Sequence, residues 1–338
     1  MFRKRSLLPI LGTALLFAGC QDHRIPTSAP TLAIAPLVSG LVTPLAVETD
    51  ATGRIFVSEH GTGQNDGRIS EVTPDGKIYP VITGLYSVKL PNGDLDAPDH
   101  LLAANGVLYV LTPKGLITLN LNTYKTGNAA IPAASLTPEN IQQFVINYNF
   151  TNDTNESHLY NLTLGPDGAI YIADAAANAI IRRSPSGQLS VVAEVPGTAN
   201  PNPAGPPPGP PVVESVPTGI VFDGKQFAIS TLLGFPFPAG KALIYRMDLS
   251  GKITTYQQTF TSLVDIENDG NGNYLALEFG VFGPTGFTPK TGRLLRARGT
   301  ASDILLDQLN FPTDLKVLDN HTAYLVSLGD GTLSKITY

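Results

Sequence analysis

One pattern, a tight Gly-, Asn- or Asp-containing turn followed by a short apolar strand, occurs six times in the chain. The copies are Ala51–Glu59, Ala104–Thr112, Gly165–Asp174, Asp223–Ser230, Gly270–Glu278 and Asp319–Ser327. Their spacing of roughly 50–60 residues is that of propeller blades with loop insertions. The most complete unit is Leu159–Val195, with apolar runs at Leu162–Leu164, Ile170–Ala173, Ala179–Arg182 and Leu189–Val195. Gly165-Pro-Asp-Gly168 and Pro185-Ser-Gly187 supply two of its turns, and four antiparallel strands joined this way make one blade. The second hairpins repeat as well, at Thr73-Pro-Asp-Gly76, Ser184-Pro-Ser-Gly187 and Leu249-Ser-Gly251.

The ends of the chain predict how the ring closes. The sixth copy has only three strands before the chain stops at Tyr338, and Thr31–Val38 is an apolar segment with no partner of its own. Pairing the two leaves no open edge. The expectation is an all-β, six-bladed β-propeller closed by the N-terminal strand joining the last blade, as a single domain over residues 31–338. Low charge (15%), 33 Gly and 28 Pro suit this class. Two insertions interrupt it. A helical one at about 124–155 carries Thr137-Pro138-Glu139, which predicts a helix capped by Thr137 with Ile141, Phe144, Val145 and Tyr148 on one face. A Pro-rich loop at about 199–212 is expected to be extended and semi-rigid.

Residues 1–19 read as a leader, with basic Arg3, Lys4 and Arg5 before an apolar run too short to span a bilayer. Leu16-Phe17-Ala18-Gly19-Cys20 resembles the bacterial lipoprotein signal, which implies lipidation at Cys20, the chain's one cysteine. Residues 20–30 form the tether. The expected location is the bacterial cell envelope, exported and anchored to the membrane through the Cys20 lipid. Removing the leader takes the net charge from −6 to −9. An acidic chain without basic clusters argues against nucleic acid as a partner.

Blade geometry sorts the residues that face the central channel. The residues opening each inner strand align as Pro44, His100, Asn161, Gly219, Asp265 and Asp314, with Asp99 and Tyr160 beside them. Those closing each second strand are Glu59, Thr112, Asp174, Ser230, Glu278 and Ser327. Asp99, His100, Asn161, Asp265, Asp314, Glu59 and Glu278 are therefore the candidate binding residues of the channel mouth. The same residues would serve equally to hydrogen-bond water and strand ends. No cofactor is expected; a divalent cation at Asp265 and Asp314 is the alternative. His60 shares the mouth face, whereas His158 and His321 are weaker candidates. HExxH, Gly-x-Ser-x-Gly, GxGxxG and phosphate-loop motifs are absent from the sequence, so no catalytic residues are assigned.

Two loops stand out. Gly234-Phe-Pro-Phe-Pro-Ala-Gly240 and Phe279–Arg293 are rich in Phe, Pro and Gly, and both fall on the mouth face. Phe235, Phe237, Phe282 and Phe287 would form a stiffened apolar patch for a small hydrophobic ligand or an envelope protein, or would pack as local core. A monomer is expected.

The Gly234-Phe-Pro-Phe-Pro loop ahead of Ala242-Leu-Ile-Tyr-Arg246, with Pro217-Thr-Gly-Ile220 before it, resembles the ScyD/ScyE family of secreted bacterial propellers. That resemblance implies the fold and a role accessory to pigment or metabolite processing, and it carries no catalytic residues. The repeat also resembles six-bladed lactonases of the gluconolactonase/SMP-30 type, whose channel metal is held one residue before the opener positions. Those places here hold Thr43, Asp99, Tyr160, Thr218, Val264 and Thr313, of which Asp99 alone suits a metal. A streptogramin-lyase-like reading requires a His/Glu pair with Mg²⁺, but His60 and Glu59 are adjacent and would point apart. The leading expectation is a binding or scaffold module acting through the mouth face. The alternative is a metal-dependent hydrolase or lyase acting at the channel.

Overall fold

In the computed structural model, residues 32–204, 209–319 and 321–337 are described; the leader, Cys20 and the tether lie outside them. Residues Leu32–Tyr338 form one compact unit. Six of the nine sheets among its described residues are the blades of a propeller, and the other three are two-stranded ladders.

Blade 1 is Pro44–Thr49, Ile55–Glu59, Gly67–Val72 and Ile78–Leu85, and blade 2 is Leu101–Ala104, Val107–Thr112 and Gly115–Asn120. Blade 3 follows as Leu159–Leu164, Ile170–Asp174, Ala179–Arg183 and Leu189–Glu194. Blade 4 is Pro217–Phe222, Phe227–Thr231, Ala242–Met247 and Ile253–Phe260. Blade 5 is Leu263–Asn268, Tyr274–Glu278, Gly292–Ala297 and Ser302–Leu309. Blade 6 is Pro312–Asp319, Thr322–Ser327 and Thr332–Thr337, with Ala33–Ser39 antiparallel to Thr332–Thr337 as its outer strand. The first strands of successive blades pack side by side in cyclic order, blade 6 against blade 1 included, and so ring the axis.

The repeated turns have a common chemistry. Asp50, Asp223, Asp269 and Asp319 open the inner hairpins of blades 1, 4, 5 and 6, and each carboxylate accepts a backbone N–H two residues on, at 2.7 to 2.9 Å. These are Asx turns, so the side chain supplies the hydrogen bond that starts the reversal. Apolar residues alternate outward from the blade faces and meet those of the next blade. Tyr171 of blade 3 and Phe227 of blade 4, for example, have ring centroids 4.2 Å apart. Val47, Ile55 and Val57 of blade 1 cluster with Tyr324, Val326 and Leu333 of blade 6, sealing the ring. Each such buried aliphatic or aromatic side chain stabilises the fold by about 1.5–3 kcal/mol.

The insertion after blade 2 takes the place of that blade's fourth strand. It first lays Ile131–Pro132 parallel to Ile82–Thr83 of blade 1. It then returns to blade 2, where Leu116 and Glu139 exchange backbone hydrogen bonds at 3.0 and 2.9 Å. The helix α1, Ile141–Ile146, follows. Its N-cap is Asn140, whose side chain accepts from Gln143 N, rather than Thr137. Thr137 cannot fill that role because the chain stays extended through Glu139 to make the Leu116 bridge. Ile141 and Val145 are buried against blades 2 and 3. The Pro-rich loop starts and ends in a short ladder, Thr198–Ala199 with Val212–Val213.

Candidate functional site

Five inner strands carry a bulge near their start: those of blades 1, 3, 4, 5 and 6. A bulge lets two consecutive residues face the same side. The channel is thus lined at its mouth by Leu45, Asp99, Tyr160, Thr218, Val264 and Thr313. One residue deeper lies a ring of Ala46, His100, Asn161, Gly219, Asp265 and Asp314. In blade 1 the opener is Ala46 and not Pro44, because Pro44 pairs with Glu59 and Leu45 is the bulged residue. For the same reason Leu45, not Thr43, holds the mouth position there.

The ring brings together four of the residues singled out in the sequence. Asn161 Nδ2 donates to Asp265 Oδ1 at 3.1 Å, and His100 Nε2 is 3.7 Å from Asp314 Oδ1. Asp314 also accepts from Val47 N at 2.6 Å and Leu315 N at 2.9 Å, and Asp265 from Leu315 N at 3.0 Å. Burial pushes both carboxyls up from the ordinary range, Asp314 furthest because Asp265 adds its charge. Burial pulls His100 down to about 3, so its imidazole is neutral near pH 7. One layer further in, Lys316 Nζ sits 3.0 Å from Glu48 and 3.6 Å from Glu267. Burial raises Glu267 to about 7 despite the lysine. This third layer has no signature in the sequence, because alternating inward residues are visible only once the register is known.

Above the ring is a cavity of about 420 Å³. Its polar side is the Asp99–His158 pair, with His158 Nε2 3.2 Å from both carboxylate oxygens. The Asp99 charge raises His158 to about 9 against the opposing effect of burial, with smaller contributions from Asp174 and Asp96. His158 is therefore an imidazolium at neutral pH, with 46% of its side chain exposed. His60 faces the same cavity. Burial, and then the charge on His158, lower it to about 4, against a hydrogen bond to the Pro98 backbone. Its Nε2 has no hydrogen-bond partner.

The opposite wall is aromatic. Phe237 lies 4.8 Å from Phe282 and 5.1 Å from Phe287 between ring centroids, and Phe282 and Phe287 face each other across a small hairpin. Phe279 joins Phe287 to Phe311 at 5.0 Å on either side, and Phe279 and Phe287 reach the cavity. Phe235 is the outermost member, 64% exposed and 6.1 Å from Phe282. The two Phe/Pro loops are thus one cluster at the mouth. A hairpin between blades 1 and 2, Val88–Lys89 with Leu95–Asp96, adds Leu95 to the lining. Its Asn92-Gly93 turn is the sequence signal that identifies it.

Glu59 and Glu278 do not line the cavity. Glu59 is buried and accepts from Val42 N, Ser70 Oγ and Arg68 at 2.7 to 2.8 Å. Glu278 accepts from Thr261 N at 2.7 Å and Arg293 Nε at 2.6 Å. Asp174 likewise accepts from His158 N at 2.8 Å and Ala177 N at 2.9 Å. These three carboxylates pin the segment entering an inner strand to the end of the second strand. That occupies their oxygens.

No protein-family model and no curated protein matches the chain. Solved structures share its fold. Virginiamycin B lyase from Staphylococcus aureus superimposes with a TM-score of 0.53 at 15% identity, over 91% of this chain and 99% of that one. The gluconolactonase XC5397 from Xanthomonas campestris gives 0.56 at 11% identity, over 90% and 89%. The PQQ-bound aldose sugar dehydrogenase from Streptomyces coelicolor gives 0.57 at 13% identity, over 91% and 98%. At these identities the likeness concerns the propeller alone. Among the mouth positions where a lactonase-type metal would sit, Asp99 carries the one carboxylate; the others are Leu45, Tyr160, Thr218, Val264 and Thr313. That residue set does not fit such a metal.

Proposed function

We propose that this propeller binds a small molecule at the channel mouth, one with an aromatic or aliphatic body and an anionic or carbonyl oxygen. The observation that carries this reading is that the phenylalanine wall and the Asp99–His158 pair face one cavity of about 420 Å³. Small-molecule pockets combine a mainly apolar lining with a few placed polar groups in a volume of about 300–1,000 Å³. His158 would donate to the oxygen, the rings would cover the body, and His60 Nε2 would receive a ligand N–H or O–H. Specificity would follow from leaving these polar atoms unpaired when a ligand lacks the matching groups.

The test uses 8-anilinonaphthalene-1-sulfonate, an aromatic anion with one N–H. Saturable one-to-one fluorescence enhancement is expected, weakened about tenfold in Phe287→Ala and about fivefold in His158→Gln. Absence of saturable binding, or binding unchanged from wild type in both variants, would overturn the reading. A second reading, a hydrolase or lyase working at the same mouth, is favoured by the cationic His158 and neutral His60 sharing one cavity. Turnover of lactones or esters by the wild-type chain, lost in His158→Gln, would distinguish it from binding alone.

A further inference from the structure

We infer that His100, Asp265 and Asp314 form a divalent transition-metal site inside the channel, one layer below the mouth. One ligand atom from each lies within 4.8 Å of the other two. All three side chains are buried, His100 to 2% exposure, beside a cavity of about 70 Å³.

Two observations point to a cation rather than to a purely structural cluster. The first is His100. Neither of its buried ring nitrogens makes a well-formed hydrogen bond, the Tyr160 backbone giving only a weak one, and Nε2 faces Asp314 Oδ1 at 3.7 Å. An orphaned buried polar group is costly, and native interiors satisfy nearly all of them. A metal bound at Nε2 would satisfy that nitrogen with the ligand it most often takes on.

The second is how the carboxylates are held. Asp314 receives Val47 N and Leu315 N on different oxygens, while Asp265 receives Asn161 Nδ2 and Leu315 N on different oxygens. Asp265 and Asp314 also face each other within hydrogen-bond reach, so a metal would take the place of the proton they share, and these donors would orient the carboxylates as the outer shell of a metal site orients its ligands. No lysine or arginine among the described residues forms an ion pair with Asp265 or Asp314: Lys316, two positions along, is engaged by Glu48 and Glu267. A divalent ion would displace the proton that burial favours on this pair and hold both groups as carboxylates.

The donor set selects the metal. One imidazole with two carboxylates suits Zn²⁺, Mn²⁺, Fe²⁺ or Co²⁺ and disfavours Ca²⁺, which takes oxygen ligands. Ligands bound about 2.0–2.2 Å from an ion lie no more than about 4.4 Å apart, so the ring would tighten slightly around it. The site is separate from the mouth ligand and does not depend on what the mouth binds.

The experiment is titration of untagged, chelator-treated protein with Zn²⁺, Mn²⁺ and Co²⁺, read by calorimetry, by melting temperature and, for Co²⁺, by visible absorption. One equivalent is expected to bind one or more of these ions with a Kd at or below the micromolar range and to raise the melting temperature. Asp314→Asn should weaken binding at least tenfold. His100→Phe breaks no well-formed hydrogen bond, so it should melt no lower than wild type in chelator while losing the metal-induced rise and the Co²⁺ spectrum. Saturable binding by none of the three ions would overturn the proposal, as would unchanged affinity in folded His100→Phe.

Discussion

The charge on His158 makes a prediction about pH. Its folded pKa, raised to about 9 above an ordinary 6.5, means that the Asp99 pair stabilises the fold fully below about pH 6.5 and loses that contribution as pH rises through about 9. With nearly half of the side chain open to solvent, the stability at stake is about 1 kcal/mol or less. Ligand binding reports the same proton more sensitively. Affinity for the anilinonaphthalene sulfonate should fall about fivefold between pH 8 and 10 with a midpoint near 9, and this step should vanish in His158→Gln. A flat profile in the wild-type chain would mean that His158 does not meet the anion. The sequence ranks His158 among the weaker candidates, because a histidine preceding a strand gains meaning only when Asp99, 59 positions earlier, is brought beside it. Glu59 and Glu278 misled in the opposite direction. A carboxylate at a strand end has the same sequence context whether it faces a channel or caps a neighbouring segment, and here Arg68 and Arg293 claim both.

Strands and loops were more legible than the side-chain pairs. Turn residues mark every hairpin locally, so the six copies could be aligned without knowing what they pack against. His100, Asn161, Asp265 and Asp314 meet because that alignment puts them at equivalent positions of neighbouring inner strands. Blade 1 was displaced by two residues because Ala46 is apolar and gives no sign of its place in the ring. The same ring explains Gly219. A Cβ there would lie 2.5 Å from Ser230 Oγ, 2.8 Å from Ile266 N and 3.0 Å from Asp265 C, so the inner strands of blades 4 and 5 approach too closely for any side chain. Gly219→Ala is expected to lower stability by about 2–3 kcal/mol in a urea titration. An unchanged midpoint would show that the two strands part freely. The Phe loops were legible for another reason: Pro residues hold Phe235 and Phe237 on a segment with little freedom to bury them elsewhere.

The closure of the ring can be tested on the entire molecule. Ala33–Ser39 contributes little core, since Val38 is its one buried residue. What it supplies is backbone: Ala33 pairs with Thr337, Ile34 with Ile336, Ala35 with Lys335 and Ser39 with Thr332, covering what would otherwise be the outer edge of blade 6. The other blades end in a strand from their own chain segment or, in blade 2, in the Glu139 bridge and helix α1. Blade 6 alone borrows its last strand from the opposite end of the chain, so ring closure joins the first described strand to the last. A chain beginning at Gly40 would keep the blade 6–blade 1 cluster of Val47, Val57, Tyr324 and Val326 but expose the unpaired N–H and C=O groups of Thr332–Thr337. An open edge of that kind recruits another strand. The truncated chain should therefore melt about 5–10 °C lower and elute as a concentration-dependent dimer or larger species on size exclusion, while the full chain elutes as a monomer. If the truncated chain stays monomeric with an unchanged melting temperature, the inter-blade cores hold the ring without the strand. If it associates without melting lower, the strand's role is to cover the edge and not to brace the ring.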